Sequence, residues 1–431
     1  MKFSALFYAS MITQVINDEI MEKLSLKNRN KFLKASLNSV LTKEESDFLT
    51  EVQEFCEDYE KKVDHSEDLY EWYPDFGKKG YICRVHSFDD IGLGQRPYGL
   101  AIDMIRHLGV EFFDTQFSWS IDASVLSLNP LQEHHDNVDI RLKALKELIQ
   151  GDAVGCVCIT EPERGSDATH QLTVTKRNDD GLIINGTKAF NTNAPKSKYA
   201  VTYGTTEKNN PKTMTQSLVI FPDDNIEIER VFIPGAPRVH LGKELFNEYF
   251  VPNDRVMGDV GKGRSHMFEG LVLERLGIAM CNVSQSWNAL THAAIYANQR
   301  EQMGKTIIKH QAIGFKLADL WARTANLTRA ILDTCRGYDD LCEKYGDEIP
   351  SGLQRAFVTS ASQLKYDCAR FNVEAVYECM NLMGGAGVCD NTMIYDILGV
   401  SRVQEIVGGT RQIQQYIING AMRGLLKSLD L

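Results

Sequence analysis

The sequence predicts an α+β protein with an N-terminal helical domain, a central β domain of barrel-like or sandwich form, and a C-terminal four-helix bundle. Three observations support this prediction. The 431 residues exceed what one compact core usually holds. The hydrophobic spacing changes from helical to strand-like near residue 153 and returns to helical near residue 263. Strands and helices do not alternate, so a doubly wound nucleotide-binding sheet is not expected.

The first predicted domain, residues 1–152, is helical. Thr42 followed by Glu45 is typical of a capping box, in which each side chain binds a backbone amide at the start of a helix. Segments 101–109 and 139–150 repeat apolar residues at helical spacing, which predicts two further helices.

The second predicted domain, residues 153–262, is built of short strands. Segment 172–175 alternates apolar and polar residues, a turn sequence follows at 178–181, and 182–186 completes a predicted hairpin. Prolines are denser in this domain than in its neighbours, as expected for a chain with many turns. Further strands are predicted at 199–203, 217–221 and 226–232.

The third predicted domain, residues 263–431, returns to a helical pattern. Glycines near 384–387 separate its last long segments. Together these segments predict a helical bundle. Long helices are predicted near 264–298, 310–344, 352–382 and 411–427.

The composition indicates which kinds of binding partner are improbable for this protein. The formal net charge of −11 disfavours binding to nucleic acid or to an anionic membrane. No apolar run reaches the length of about 20 residues that a membrane span needs. The ten cysteines lack the spacing of a metal site, so we expect free thiols, no metal and a reducing compartment such as the cytoplasm. Cys156 and Cys158 are best interpreted as small buried apolar residues.

A polar segment, Ile-Thr-Glu-Pro-Glu-Arg-Gly-Ser-Asp at 159–167, is the first candidate functional motif. Proline restricts φ, glycine permits close approach, and serine and aspartate offer hydrogen bonds. Taken alone, the segment is explained equally well as an ordinary turn.

Three further motifs follow it along the chain. They are Lys-Ala-Phe-Asn-Thr-Asn at 188–193, Arg-Glu-Gln-Met-Gly at 300–304 with Gln311, and Gly-Gly-Ala-Gly at 384–387 with Gly-Thr-Arg-Gln-Ile-Gln at 409–414. In this order, the four motifs resemble those of the acyl-CoA dehydrogenase family. The resemblance implies that family's fold, a bound FAD and an acyl-CoA substrate.

The resemblance also implies cofactor-binding residues. Ile159 and Thr160 would bind the pyrimidine side of the flavin, Phe190 would lie against its ring system, and Thr192 would bind the flavin N5. Arg300 and Gln311 would reach the FAD of an adjacent subunit, which implies a homo-oligomer arranged as a dimer of dimers. The remaining residues implied to contact the cofactor are Met303, Asn381, Gly384, Gly385, Thr410 and Gln412.

The catalytic base is expected to be Glu274. Many family members carry a glutamate immediately before the Gly-Thr of the last motif, but this chain has Gly408 there. In a second arrangement, which resembles isovaleryl-CoA and long-chain acyl-CoA dehydrogenases, the glutamate precedes an arginine on the first long helix of the bundle. Glu274 and Arg275 match it, in a markedly apolar stretch. The alternative is a structural salt bridge from Glu274 to Arg275 or Arg264.

Substrate contacts are assigned to Ser166, Arg275, Gly408 and Gly409, with Ser166 near the pantetheine arm. Because Gly408 lacks a side chain, we expect additional room there for a branched or cyclic acyl group. Arg164 is either a ligand for a substrate carboxylate or CoA phosphate, or a solvent-exposed side chain.

The predicted reaction is α,β-dehydrogenation of an acyl-CoA thioester, with electrons leaving through an electron-transfer flavoprotein. Alternatives on the same fold are an enoyl-CoA reductase, a decarboxylating dehydrogenase, an enzyme acting on carrier-protein thioesters, a flavin oxidase or monooxygenase, and a non-catalytic relative. Asp89 and Asp90 are a second candidate acid–base pair, although a solvated loop explains them as well.

Overall fold

The computed structural model describes residues 16, 18–84, 98–346, 348–389 and 392–429. Helices, then a sheet, then helices follow one another along the chain, so the predicted α+β class and order are confirmed. Asp89 and Asp90 lie outside the described residues.

The N-terminal part is helical, as predicted. The capping box is present: Glu45 donates its backbone N–H to Thr42 Oγ1 at 3.2 Å and accepts the Thr42 N–H at 2.8 Å. The apolar faces of these helices form one continuous core. The helices are α1 (Asp18–Lys23), α2 (Leu26–Leu37), α3 (Lys43–Glu60), α4 (Tyr73–Lys78), α5 (Leu100–Phe113), α6 (Thr115–His134) and α7 (Val138–Ile149).

The central part is one twisted sheet of seven strands in the order β1-β4-β2-β3-β7-β6, with β5 paired to β4. The predicted hairpin is the antiparallel pair β2–β3. Strand β1 is paired in parallel with β4. The strands are β1 (Gly155–Cys158), β2 (Val174–Arg177), β3 (Gly181–Thr192), β4 (Tyr199–Thr205), β5 (Met214–Ile220), β6 (Ile226–Val231) and β7 (Leu241–Pro252).

The C-terminal part contains the four predicted long helices, each boundary within one residue of its expected place. An additional short helix between the last two was not predicted. The elements are α8 (Gly263–Gln299), β8 (Glu301–Gln302), β9 (Lys305–Thr306), α9 (Gln311–Tyr345), α10 (Ser351–Met383), α11 (Ile394–Gln404) and α12 (Arg411–Ser428).

Buried polar contacts define how α8 packs on its neighbours. Asn372 on α10 donates to Gln285 Oε1 at 2.7 Å and to Asn282 Oδ1 at 2.9 Å. Trp287 Nε1 donates to Thr328 Oγ1 on α9 at 2.8 Å. Because an unpaired buried amide is costly, these bonds favour one register of the three helices.

Among the described residues, no helix is both long and apolar enough to cross a membrane. The chain changes from helices to strands between α7 and β1, and from strands back to helices between β7 and α8. We retain the division into domains 1–152, 153–262 and 263–431 as a proposal.

Candidate active site

A cavity of about 740 Å³ lies where α6, the strands β1, β3 and β4, the first half of α8 and the start of α12 meet. Its walls combine all three parts of the chain. The predicted site residues that line it are Ile159, Thr160, Ser166, Phe190, Thr192, Glu274, Arg275, Gly408, Gly409 and Thr410.

The other predicted cofactor contacts do not line this cavity. They lie on the surface of the single chain, and Met303 is 93% exposed. The group comprises Arg300, Met303, Gln311, Asn381, Gly384, Gly385 and Gln412.

Glu274 and Gly408 lie side by side in the cavity wall. A Cβ atom added to Gly408 would lie 3.5 Å from Glu274 Cδ and would overlap the side chain of Ile278. The backbone at Gly408 has φ +64°, a conformation that favours glycine. A side chain from position 408 and the side chain of Glu274 would therefore point into the same space, although they belong to different elements.

The expected extra room beside Gly408 is not there, because Ile278 and Glu274 fill it. The other walls of the cavity are formed by α6 and by the strands β1, β3 and β4. Any room for a branched or cyclic acyl group must come from those walls.

The carboxylate of Glu274 has no ionic or hydrogen-bonding partner among the described residues, so the salt bridge to Arg275 or Arg264 does not form. Burial raises the pKa of Glu274 to about 7, and the nearby charges of Arg275 and Lys365 offset part of that rise. A carboxylate in this state can accept a proton near neutral pH.

Residues 407–410, which we call the glycine loop, are held from three sides. Lys365 donates to the carbonyl oxygens of Gly409 at 2.8 Å and Glu405 at 3.0 Å. Gln414 Nε2 donates to the Gly408 carbonyl at 3.0 Å, and Arg275 Nε approaches the same oxygen at 3.4 Å. Arg275 thus contacts this backbone, and sequence reasoning missed Lys365 because nothing local marks a lysine that caps a distant loop.

Residues 159–167, the signature loop, are anchored by a buried ion pair. Lys188 Nζ lies 3.0 Å from Glu161 Oε1 and donates to the Ile159 carbonyl at 3.1 Å. The carboxylate of Glu161 also accepts the backbone N–H groups of Leu172 at 2.6 Å and Thr173 at 2.8 Å. The first two motifs are therefore connected to each other through their own side chains.

Phe190 lies at an irregularity in the pairing of β3 with β7, between Ala189 and Asn191. Its φ is +61°, and the residue, which lines the cavity, is 59% exposed. A bulge of this kind redirects a side chain out of the ladder. The hydroxyls of Thr160 and Thr192 lie in the same wall and form no hydrogen bond with any described residue. An exposed ring beside available hydroxyls suits a planar heteroaromatic ligand.

Arg164 is half-buried and fastened to its own surroundings. Its Nε donates to the His170 carbonyl at 3.1 Å, and its Nη2 donates to Asn209 Oδ1 at 3.0 Å. The side chain thus braces the signature loop, a role intermediate between the two alternatives considered from the sequence.

The cavity also contains an acidic residue that sequence reasoning missed. Asp122 on α6 lines the wall, with His107 Nε2 3.6 Å from its Oδ1. Cys281 Sγ lies 3.2 Å from His107 Nδ1, so three potential metal ligands are close together. Arg106 Nη2, however, lies 2.8 Å from His107 Nε2, and burial keeps the pKa of the Cys281 thiol well above its usual range. These features indicate a hydrogen-bonded cluster and not a prepared metal site.

Comparison with family models identifies two matching regions. The model described as "Acyl-CoA dehydrogenase, middle domain" matches residues 156–236. The model described as "Acyl-CoA dehydrogenase, C-terminal domain" matches residues 261–422. The two regions together contain most of the cavity wall.

Individual proteins show the same similarity at low identity. The mitochondrial isovaleryl-CoA dehydrogenase of Oryza sativa subsp. japonica is 26% identical over 81% of this chain and 82% of its own length. The mitochondrial 2-methylacyl-CoA dehydrogenase of Solanum tuberosum is 24% identical over 91% of this chain and 93% of its own.

Solved structures have the same fold. Butyryl-CoA dehydrogenase from Megasphaera elsdenii superimposes with a TM-score of 0.78 at 22% identity, covering 89% of this chain and 98% of that chain. A structure titled "PigA with FAD and proline" gives a TM-score of 0.77 at 19% identity, with the same coverage of both chains.

Proposed function

Because this chain belongs to the acyl-CoA dehydrogenase family, we propose that it catalyses FAD-dependent α,β-dehydrogenation of an acyl-CoA thioester, with Glu274 as the base. One observation carries the assignment of the base. The Glu274 carboxylate faces Gly408 in the cavity and has no partner among the described residues.

The residues around the cavity fit FAD. The exposed ring of Phe190 provides a flat apolar surface, and the hydroxyls of Thr160 and Thr192 are available to polar edge atoms. Thr410 precedes α12 without capping it by its side chain, so the first backbone amides of that helix remain available to a phosphate. FAD, when bound, supplies the acceptor for a hydride from the β-carbon of the acyl group.

Glu274 removes the α-proton of the thioester. A carboxylate with a pKa of about 7 is about half ionised at neutral pH, and its ionised form is basic enough to take a proton from carbon. Lys365 and Arg275 hold the glycine loop against it through the carbonyl oxygens of Gly409 and Gly408. Their positive charges also stabilise its ionised form.

The thioester enters along the wall that contains Ser166, Gly408 and Gly409. Ser166 belongs to the exposed part of the signature loop, which suits contact with the pantetheine arm outside the cavity. The apolar residues of α6 and α8 surround the acyl group and exclude water from Glu274.

The proposal also includes the partners of the enzyme and its cellular compartment. A second copy of the chain covers the exposed group that includes Arg300 and Gln311, in a dimer of dimers whose subunits contribute to one another's FAD sites. An electron-transfer flavoprotein accepts the electrons. All ten cysteines are free, which suits a reducing compartment such as the cytoplasm.

The test is anaerobic titration of the FAD-loaded protein with a panel of acyl-CoA esters, following loss of the oxidised flavin band. We expect Glu274→Gln to slow this bleaching by roughly 10² to 10⁴. Glu269→Gln is the matched control, because Glu269 lies on the same helix but pairs with His134 at 3.3 Å outside the cavity wall. Near-normal bleaching by Glu274→Gln would refute the base.

A further inference from the structure

One face of α6 forms a wall of the cavity. Four of the residues on this face are apolar and recur at helical spacing: Trp119, Ala123, Leu126 and Pro130. Asp122 is the exception, and its side chain is only 9% exposed. A carboxylate in an apolar wall is costly unless it finds a partner.

The protein itself supplies little to that carboxylate. Among the described residues Asp122 accepts no hydrogen bond, and its nearest basic atom is His107 Nε2 at 3.6 Å. Both nitrogens of His107 already have closer neighbours, Arg106 Nη2 at 2.8 Å and Cys281 Sγ at 3.2 Å. Arg106, His107 and Cys281 therefore pack behind Asp122 but donate no hydrogen bond to its carboxylate.

Asp122 lies close to the reacting end of the cavity. A Cβ added to Gly277 would be 2.8 Å from Asp122 Oδ1, so the absence of a side chain at Gly277 lets the carboxylate approach α8. Gly277 follows Glu274 by three residues, a rise of about 4.5 Å along the helix. Asp122 therefore lies near the turn of α8 that carries Glu274, and the charge of Glu274 contributes to the raised pKa of Asp122.

The ionisation state of Asp122 agrees with an acceptor role. Burial raises its pKa to about 6, with the charges of His107 and Arg106 opposing the rise and those of Asp103 and Glu274 adding to it. At neutral pH the group is mainly ionised, so it can accept but not donate a hydrogen bond.

We propose that Asp122 recognises a hydrogen-bond donor, a hydroxyl or ammonium group, carried by the acyl chain of the substrate a few carbons from the thioester. This inference rests on the proposed acyl-CoA dehydrogenation. A plain alkyl chain would leave the carboxylate buried and unpaired, and an acyl chain ending in a carboxylate would be repelled. A donor on the acyl group satisfies the one polar position of this wall.

The test compares butyryl-CoA, 4-hydroxybutyryl-CoA and 4-aminobutyryl-CoA on the FAD-loaded protein. Flavin bleaching gives the rate, and titration calorimetry gives the dissociation constant independently of turnover. We expect at least one substituted ester to be favoured over butyryl-CoA by roughly ten- to a hundredfold, the effect of one hydrogen bond to a charged group. The hydroxyl and amino esters distinguish the two kinds of donor.

Two variants isolate Asp122. Asp122→Leu, similar in size but apolar, should remove or reverse the preference, whereas Asp122→Asn keeps an acceptor oxygen and should retain the preference for the hydroxyl ester. Leu126→Ala, on the same wall, is the control that alters volume and should leave the ratio between esters unchanged.

The outcomes separate this inference from the proposed function. Equal rates and affinities for all three esters in the unmodified protein, or an unchanged preference in Asp122→Leu, would overturn the role of Asp122 alone. If esters bind with the expected preference but none bleaches the flavin, the recognition stands and the dehydrogenation is refuted.

Discussion

Glu161 and Glu274 are two acidic residues in the wall of one cavity, and their surroundings are opposite. Glu161 pairs with Lys188 at 3.0 Å and accepts two backbone N–H groups. Glu274 faces Gly408 and the apolar side chain of Ile278, with no partner among the described residues. Both belong to conspicuous motifs, so the sequence alone does not separate their roles.

The difference shows that partners, more than burial, decide what a buried carboxylate does. Burial alone would raise the pKa of either residue. For Glu161 the charge of Lys188 and the hydrogen bonds from Thr173 outweigh burial, and the pKa falls below its usual value. For Glu274 burial prevails and the pKa rises to about 7. The first carboxylate stabilises a loop, and the second can exchange a proton.

The largest effect is expected when the charge of Glu161, the carboxylate that has a partner, is removed. Glu161→Gln leaves the Lys188 ammonium buried without its counter-ion, so we expect unfolding to become easier by about 3–5 kcal/mol. Urea or thermal unfolding of the FAD-loaded protein measures the change. Glu163→Gln, two residues away on the exposed part of the same loop, should shift stability by no more than about 0.5 kcal/mol. Equal stabilities for the two variants would contradict a structural role for Glu161.

A smaller loss of stability is expected from a substitution beside Glu274, the carboxylate without a partner. Gly408→Ala places a methyl group against Ile278 at a backbone φ of +64°, which we expect to destabilise the protein by about 1–3 kcal/mol and to displace Glu274. Gly420→Ala is the matched control, because a Cβ added to Gly420 on α12 would have no neighbouring atom within 4 Å. It should stabilise the helix by about 0.5–1 kcal/mol. If both variants unfold alike, Gly408 and Glu274 do not compete for the same space.

The mildest test is pH. In the proposed reaction the ionised form of Glu274 is the active one. Since the pKa of Glu274 is about 7, the bleaching rate should be constant above pH 7 and fall below it. The expected slope is about tenfold per pH unit. Glu274→Gln should lose this limb, whereas Asp122→Asn should keep it even though Asp122 titrates nearby. If the bleaching rate of Glu274→Gln still falls below pH 7, another group is the base.

Local patterns predicted much of the fold. The Thr42–Glu45 capping box, the β2–β3 hairpin and the four long helices of the bundle each depend on residues close together in sequence. Helix α11 was not predicted, since it is short and follows a glycine-rich segment. It gains its stability by packing on α10 and α8.

The site was predictable only in pieces. The motifs predicted that Phe190, Thr192 and Glu274 lie near a cofactor and substrate, but no local pattern marked Asp122 or Lys365. Asp122 lies among many polar residues in the largely buried helix α6, and Lys365 is one lysine in the long helix α10. Their significance comes from what lies opposite them, which sequence spacing does not report.

By itself, the sequence determined the α+β class, the order of the three parts and the residue types available for chemistry, because hydrophobic periodicity and turn residues act over short distances. Tertiary structure alone decided that Glu274, Gly408 and Asp122 share one cavity and that Glu161 does not share the state of Glu274. The physical reason is that desolvation and charge pairing depend on neighbours from distant segments. An acidic residue acquires its pKa, and with it its role, only when α6, α8 and the glycine loop pack together.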